Sequence, residues 1–200
     1  MDQSPAEQTL DLIETAGVLR PKDLDVYDIP HQVLYRLRDR GLVTQVGRGL
    51  YMLANAEVTE NHALVEVCKR VPHGVICLLS ALQFHTLGTQ APFQVWLAID
   101  GKARRPHVDY PPLRVVRFTG RALTEGIEEH EIEGVTVRVY SPAKTVADCF
   151  KYRNKTGLDV AIKALRECRR ERKATIHDLW YYAKIDRVAN VMKPYIEAQG

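Results

Sequence analysis

Seven side chains in the first quarter of the chain have the chemistry to bind double-stranded DNA. Arginine can donate two hydrogen bonds to O6 and N7 of guanine, and glutamine can pair with N6 and N7 of adenine, so both residue types read base edges in the major groove. Lysine and arginine also bind phosphate oxygens. The candidate DNA-binding residues are Lys22, His31, Gln32, Tyr35, Arg36, Arg38 and Arg48.

The elements that must carry these residues follow one another in the order of a winged helix-turn-helix. Ser4, Pro5 and Glu7 predict a capped helix start, and a short helical piece begins near Pro21. A second full helix is predicted over His31–Arg40. Two short strands around Gly47-Arg48-Gly49 then predict a β-hairpin, the wing. In this motif the second helix enters the major groove.

We therefore predict a winged helix-turn-helix DNA-binding domain over residues 1–55. This segment holds six lysine and arginine residues against eight aspartates and glutamates, so it is slightly acidic as a whole. Four of its six cations nevertheless fall between Arg36 and Arg48, where only Asp39 opposes them. Positive charge is thus concentrated where DNA would lie. The alternative is an ordinary solvated helix face, and the pattern leaves open which side chains contact bases.

Residues 56–200 are predicted to form a second domain, and strands followed by helices give the whole chain an α+β fold class. The predicted elements are a helix from Thr59 to about Pro72, a buried turn and a helix between Val75 and Leu87, strands Phe93–Ile99, Leu113–Phe118, Glu128–Ile132 and Val135–Tyr140, and helices that start at Ser141-Pro142, Leu158, Thr175 and about Arg187. The domain is therefore predicted as mixed α/β.

The second domain contains a strongly basic region between Arg138 and Lys173, with eleven cations against four carboxylates. Such a region could contact DNA phosphates, RNA or an acidic protein surface. It could equally be two solvated amphipathic helices whose long cationic stems cover apolar surface. Lys144 and Asp148, four residues apart, are predicted to form a surface ion pair. The candidates for additional phosphate or partner contacts are Arg104, Arg105, Lys144, Lys151, Arg153 and Lys155.

Catalysis is not expected from the motifs present, and no metal or cofactor is predicted. Phosphate-binding glycine loops, the G-x-S-x-G motif and the H-E-x-x-H motif are all missing from the sequence. Glutamates at positions 128, 129, 131 and 133 surround His130 and could hold a metal, but strand alternation would divide them between two faces. A nuclease or nucleotidyl-handling enzyme with a winged-helix targeting module is the alternative class. Metal-dependent cleavage lost on changing Glu128 or Glu129 would favour it.

Bulk properties favour a cytoplasmic globular protein. The net charge is +3, which permits nucleic-acid binding without implying it. Cys68, Cys77, Cys149 and Cys168 have apolar neighbours and no zinc-finger spacing, so we expect buried thiols. Polar residues within the first ten positions argue against a signal peptide, and the chain has no apolar run long enough for a membrane span.

Two stretches resemble the AbiEi family of bacterial antitoxins. Ile29–Leu37 followed by Gly47–Tyr51 is similar to the N-terminal winged helix of that family. Glu125–His130 and Val137–Lys151, which include Tyr140-Ser141-Pro142-Ala143-Lys144-Thr145-Val146-Ala147-Asp148, resemble its C-terminal antitoxin domain, and Val75–Leu82 extends the resemblance.

The resemblance implies two activities. The winged helix would repress the protein's own operon by binding inverted repeats in the promoter. The C-terminal domain would counteract a nucleotidyltransferase-type toxin in a type IV system, in which antitoxin and toxin form no stable complex. A transcription factor without any toxin is a further alternative, and a nucleotidyltransferase reading frame beside the gene would separate the two.

Overall fold

The computed structural model describes residues 3–198, so residues 1, 2, 199 and 200, which the two predicted domains include, lie outside the described part. The described residues form two compact units. One comprises the residues up to Pro72 together with His130–Val137, and the other comprises His73–Glu129 together with the residues from Arg138 onward. The boundaries of these units differ from the predicted boundary at residue 55. The domains 1–55 and 56–200 therefore remain a prediction.

The first unit begins with a helix whose start is fixed by local hydrogen bonds. In α1 (Pro5–Ala16), the Ser4 N–H donates to Glu7 at 2.9 Å and the Glu7 N–H donates to the Ser4 hydroxyl at 3.3 Å, which is the predicted capping box. The helix ends at Gly17, whose φ of +63° is left-handed. The remaining helices of the unit are the 3₁₀ helix Pro21–Tyr27, α2 (His31–Asp39) and α3 (His62–Arg70).

The wing is an antiparallel hairpin of β1 (Val43–Gly47) and β2 (Leu50–Leu53), with an irregular register between Gln45 and Gly47. Leu19 extends it by an isolated bridge, because its N–H and C=O both bond to Tyr51 at 2.9 Å. One apolar cluster joins α1, the 3₁₀ helix, α2 and the wing, so that these elements share a core. Its buried members are Ile13, Leu19, Leu24, Ile29, Leu34, Leu37, Val43 and Tyr51.

A five-stranded mixed sheet follows, with the strand order β5-β4-β3-β7-β6. Its strands are β3 (Val75–Ile76), β4 (Val95–Asp100), β5 (Leu113–Phe118), β6 (Ile127–Ile132) and β7 (Val135–Tyr140). β4 runs parallel to β5 and antiparallel to β3, and β3 is parallel to β7. β5 is therefore an edge strand, and it lies entirely within the second unit.

The helices of the second unit pack around α6. They are α4 (Leu78–Phe84), α5 (Arg121–Thr124), α6 (Pro142–Lys151), α7 (Arg153–Thr156), α8 (Leu158–Arg170), α9 (Ile176–Ile185) and α10 (Ala189–Glu197). α6 contacts α4, α8 and α9, and every residue from Ala143 to Phe150 is buried. Ser141 and Thr175 cap α6 and α9 as their Ser-Pro and capping-box patterns predicted.

The predicted α+β fold class, with a winged helix-turn-helix first, is confirmed. Three short elements were not predicted: the strand β3, which lies in the buried turn expected after Val75, and the short helices α5 and α7; α4 also begins at Leu78 rather than near Ser80. A strand of two residues is too short to produce a period in the sequence. All four cysteines are buried thiols, as expected. Within residues 3–198, no helix combines the length and the apolar character that a membrane crossing needs.

Candidate DNA-binding surface

The outward face of α2 carries most of the predicted DNA-binding residues. Pro30 precedes the helix in an extended conformation, and Leu34 and Leu37 bury the inner face in the apolar cluster. This burial fixes which side of the helix meets solvent. The predicted residues Gln32, Tyr35, Arg36 and Arg38 are exposed, and His31 is half-buried.

Neighbouring side chains already engage two of these residues. His31 Nε2 lies 2.7 Å from Asp25 Oδ1. The Arg38 guanidinium donates to Asp39 at 2.8 and 3.0 Å, which raises the pKa of Arg38, and it also lies 5.7 Å from the centroid of the Tyr35 ring. DNA would have to compete with these partners, so His31 and Arg38 are the less available donors.

Gln32 and Arg36 are the most available polar side chains of α2. Within residues 3–198, neither side chain forms a hydrogen bond or an ion pair. Because they are four residues apart, they lie on the same helix face about one turn apart. Both types of side chain can make bidentate contacts to a base edge.

The wing brings Arg48 to an exposed hairpin tip. Gly49 has a φ of +66°, a left-handed conformation that suits glycine and allows the tight turn after Arg48. Gln45 Nε2 donates to the Gly47 carbonyl at 3.1 Å, and Arg70 Nη2 donates to the Arg48 carbonyl at 2.7 Å. The backbone of the tip is thus held by side chains of β1 and α3.

Glu66, which lies on α3 as Arg70 does, closely approaches the wing at Gly47. A Cβ at Gly47 would overlap Glu66 Oε1, so any larger residue at this position would require the buried Glu66 side chain to move. Glu66 is 1% exposed, and burial raises the pKa of its carboxyl. Sequence reasoning missed both Glu66 and Arg70 as residues that position the wing. Both residues lie outside the predicted first domain 1–55, so their positions in the sequence did not indicate contact with the wing.

Lys22 lies at the start of the 3₁₀ helix, where it is exposed. The neighbouring cations are committed to Asp23: Arg20 Nη2 lies 2.8 Å and Lys69 Nζ 3.6 Å from its carboxylate. Burial alone would raise the pKa of Asp23, but the hydrogen bonds from Arg20 lower it overall. Lys22 therefore remains the cation of this segment that faces solvent.

The predicted additional contacts in the second unit differ in exposure. Arg104, Arg105, Lys151 and Lys155 are exposed, whereas Arg153 is half-buried and donates to the Phe150 carbonyl at 2.9 Å. Lys151 Nζ lies 3.6 Å from Asp186, and Lys155 Nζ lies 5.3 Å from the centroid of the Tyr152 ring.

Lys144 cannot serve as a phosphate contact, and the predicted surface pair with Asp148 is wrong. Both side chains are fully buried. Lys144 Nζ donates to Asp148, lies 3.4 Å from Asp186, and sits 4.7 Å from the centroid of the Tyr140 ring. The physical reason is that α6 is covered on every side, so a spacing that suits a solvent-exposed helix occurs here inside the core.

The helix, the wing and their exposed cations define a winged helix-turn-helix of the class that transcriptional regulators use to bind DNA. Residues 7–54 match the family model described as "Transcriptional regulator, AbiEi antitoxin". The match confirms the AbiEi resemblance over these residues and supports a role as a regulator of the antitoxin type. The resemblance of residues 125–151 to a C-terminal antitoxin domain remains a prediction.

The fold of the whole chain is also similar to that of a solved structure. The crystal structure of the RV2827C protein from Mycobacterium tuberculosis aligns with a TM-score of 0.52 and 11% sequence identity, over 100% of this chain and 83% of that chain. At this identity the similarity concerns the fold alone. No curated protein matches the sequence.

Proposed function

We propose that this protein is a DNA-binding transcriptional autorepressor that also acts as an antitoxin. Residues 1–55 form the DNA-binding domain in this proposal, with α2 in the major groove and Arg48 along the backbone or in a narrow minor groove. The observation that carries the proposal is the exposed pair Gln32 and Arg36, which share one face of α2 and have no partner within residues 3–198. Lys22, Tyr35, His31 and Arg38 are secondary contacts.

The proposed operator is a pair of inverted repeats in the protein's own promoter. Each repeat takes one protomer, so two protomers occupy the site whether or not they associate in solution. Because several phosphates are neutralised by lysine and arginine, binding should weaken steeply as the salt concentration rises. Arg104, Arg105, Lys151, Arg153 and Lys155 are candidates for further phosphate or partner contacts.

A footprint on the DNA upstream of the gene, followed by fluorescence anisotropy on the protected fragment, tests this proposal. We expect Arg36→Ala to weaken binding by roughly 1–3 kcal/mol and to relax base preference at one position, as a bidentate base contact does. Arg48→Ala should weaken binding to all sequences alike. Lys193→Ala, an exposed lysine on α10 paired with Glu197, is the matched control and should bind normally. Unchanged affinity for both arginine variants would exclude the winged helix from DNA binding.

The antitoxin part of the proposal concerns residues 56–200. They counteract a nucleotidyltransferase-type toxin in the cytoplasm by a functional effect rather than by a stable complex. Co-expression of the chain with a nucleotidyltransferase encoded beside its gene should restore growth, and Arg36→Ala should still restore it when expressed from an unrelated promoter. Failure of rescue by a chain that still represses transcription would leave a stand-alone transcription factor.

A further inference from the structure

A groove of about 660 Å³ runs along the outer edge of β5, within the second unit. The strand contributes every residue from Leu113 to Arg117 to its lining. Arg105, from the loop after β4, and Tyr152 and Lys155, from the α6–α7 segment, also line it. β5 has a neighbour in the sheet on one side only, so this groove exposes the hydrogen-bonding edge of a strand.

The main-chain groups of alternate β5 residues point into the groove. In a parallel pair, each residue directs both its N–H and its C=O to the same side of the strand. The Val95 N–H donates to the Pro112 carbonyl at 2.8 Å, so even-numbered residues of β5 face β4 and odd-numbered residues face away. The Tyr152 hydroxyl accordingly donates to the Arg117 carbonyl at 3.1 Å. The groups of Leu113 and Val115 have no such partner within residues 3–198.

The charged side chains that line the groove are all cationic. Among the described residues that line the groove, none is an aspartate or a glutamate, and four are arginine or lysine: Arg105, Arg114, Arg117 and Lys155. Arg114 lies 4.7 Å from the Trp96 ring centroid and Lys155 lies 5.3 Å from that of Tyr152. Arg117 donates to the carbonyls of Asp100, at the end of β4, and of Gly101 and Ala103 in the following turn. These contacts hold the side chains in place without neutralising their charge.

We propose that β5 binds an acidic, extended segment of a partner protein as an added strand. A strand that pairs with Leu113 and Val115 supplies both donors and acceptors, and acidic side chains on it would meet the arginines and Lys155. A nucleic-acid phosphate backbone supplies acceptors alone and leaves the outward carbonyls of Leu113 and Val115 unmatched. Like charges oppose the pairing of β5 with β5 of a second copy, so the partner is a different, acidic chain.

The probe is a fluorescent synthetic peptide in which glutamate and valine alternate, titrated into the full-length protein. We expect saturable binding that is lost when alternate peptide amides are N-methylated, because methylation removes the strand hydrogen bonds and keeps the charge. Equal binding of the methylated peptide would mean that attraction of charge alone holds it, and the proposed strand pairing would be wrong.

Substitutions in the protein itself test the same strand pairing. Val115→Pro removes an outward N–H and leaves the bonds to β4 intact, so an edge strand should tolerate it. Val115→Pro should therefore abolish peptide binding. The double variant Arg105→Glu, Lys155→Glu should lower the affinity for the peptide by at least about tenfold. Lys184→Glu with Lys193→Glu, a matched pair of exposed lysines outside the groove, should change affinity little. If the peptide fails to bind wild-type protein, and the Arg105/Lys155 variant instead loses affinity for duplex DNA, the groove is a nucleic-acid surface and the proposal fails.

Discussion

Replacing Lys144 with methionine should destabilise the second unit more than any other single lysine substitution there. The ammonium group of Lys144 contacts the carboxylates of Asp148 and Asp186, and all three side chains are 0% exposed. Asp148 Oδ2 has no hydrogen-bond partner within residues 3–198 even in the wild type. Methionine fills a similar volume, so the substitution removes the charge and largely preserves the packing.

The magnitude follows from how much charge is left without a partner. Removing one member of a buried ion pair costs about 3–5 kcal/mol, since the remaining charge stays desolvated. Lys151 Nζ lies 3.6 Å from Asp186 and keeps that carboxylate compensated, so Asp148 carries most of the cost. We therefore expect a loss near the lower bound, about 3 kcal/mol, which for a protein of this size lowers Tm by roughly 6–12 °C.

The loss should depend on pH in a defined direction. Burial raises the pKa of Asp148 well above its ordinary value of 3.8, and Lys144 opposes this rise. Without Lys144 the pKa should rise further. A carboxyl whose pKa is higher in the folded protein than in the unfolded chain contributes stability at pH values below the unfolded pKa, and the contribution disappears as pH rises through the folded pKa. The deficit of Lys144→Met relative to wild type should therefore shrink as the pH falls from alkaline values toward the ordinary Asp148 value of 3.8.

Urea unfolding across this pH range measures the effect. Adding Asp148→Asn to Lys144→Met should recover most of the lost stability, because no unpaired buried charge then remains. Lys193→Met removes an exposed lysine and should cost no more than about 0.5 kcal/mol. A Lys144→Met variant as stable as this control, or a deficit that does not change with pH, would refute the buried-charge reasoning.

Three further substitutions test the first unit by thermal or urea unfolding. Gly17→Ala should cost roughly 2–5 kcal/mol, because φ is +63° and a Cβ would overlap the Glu133 carbonyl oxygen; a neutral effect would contradict this close approach. Glu133→Gln should cost about 1–3 kcal/mol, since the carboxylate accepts from the Thr59 N–H at 2.8 Å and lies 2.6 Å from His62 Nδ1. Glu66→Gln should be more stable than wild type above neutral pH, because burial raises the pKa of Glu66 and disfavours its ionised form. This difference in the free energy of unfolding should disappear as the pH falls toward 4.5, the ordinary pKa of a glutamate. A Glu66→Gln effect independent of pH would show that the pKa of Glu66 is the same in the folded and the unfolded protein, which would contradict the rise caused by burial.

Features set by neighbouring residues could be predicted from the sequence. The capping boxes at Ser4 and Thr175 involve partners three residues away, and their side chains bond as the pattern predicts. The outward face of α2 follows from the helical period once Leu34 and Leu37 are assigned to the core. In each case the physical cause lies within about one helical turn of its effect, where sequence spacing fixes geometry.

Features set by distant residues could not be predicted. Lys144 and Asp148 have the spacing of a surface pair, but Asp186, which completes the cluster, is 42 residues from Lys144 in sequence. The bond from Arg70 to the Arg48 carbonyl spans 22 residues. The engagement of Arg38 with the adjacent Asp39 depends on side-chain rotamers, which spacing does not specify. The candidate face was thus predictable, whereas the availability of its individual side chains was not.

The contacts beneath the wing connect DNA recognition to α3, a helix that the predicted first domain leaves out. Arg48 can follow a DNA backbone only if the hairpin tip keeps its position relative to α2, and a two-stranded hairpin is marginally stable alone. The shared apolar cluster anchors the strands, but the tip itself is held from α3 by Arg70 and approached closely by Glu66. Because both residues lie beyond residue 55, we infer that the smallest segment able to present α2 and the wing together extends through α3.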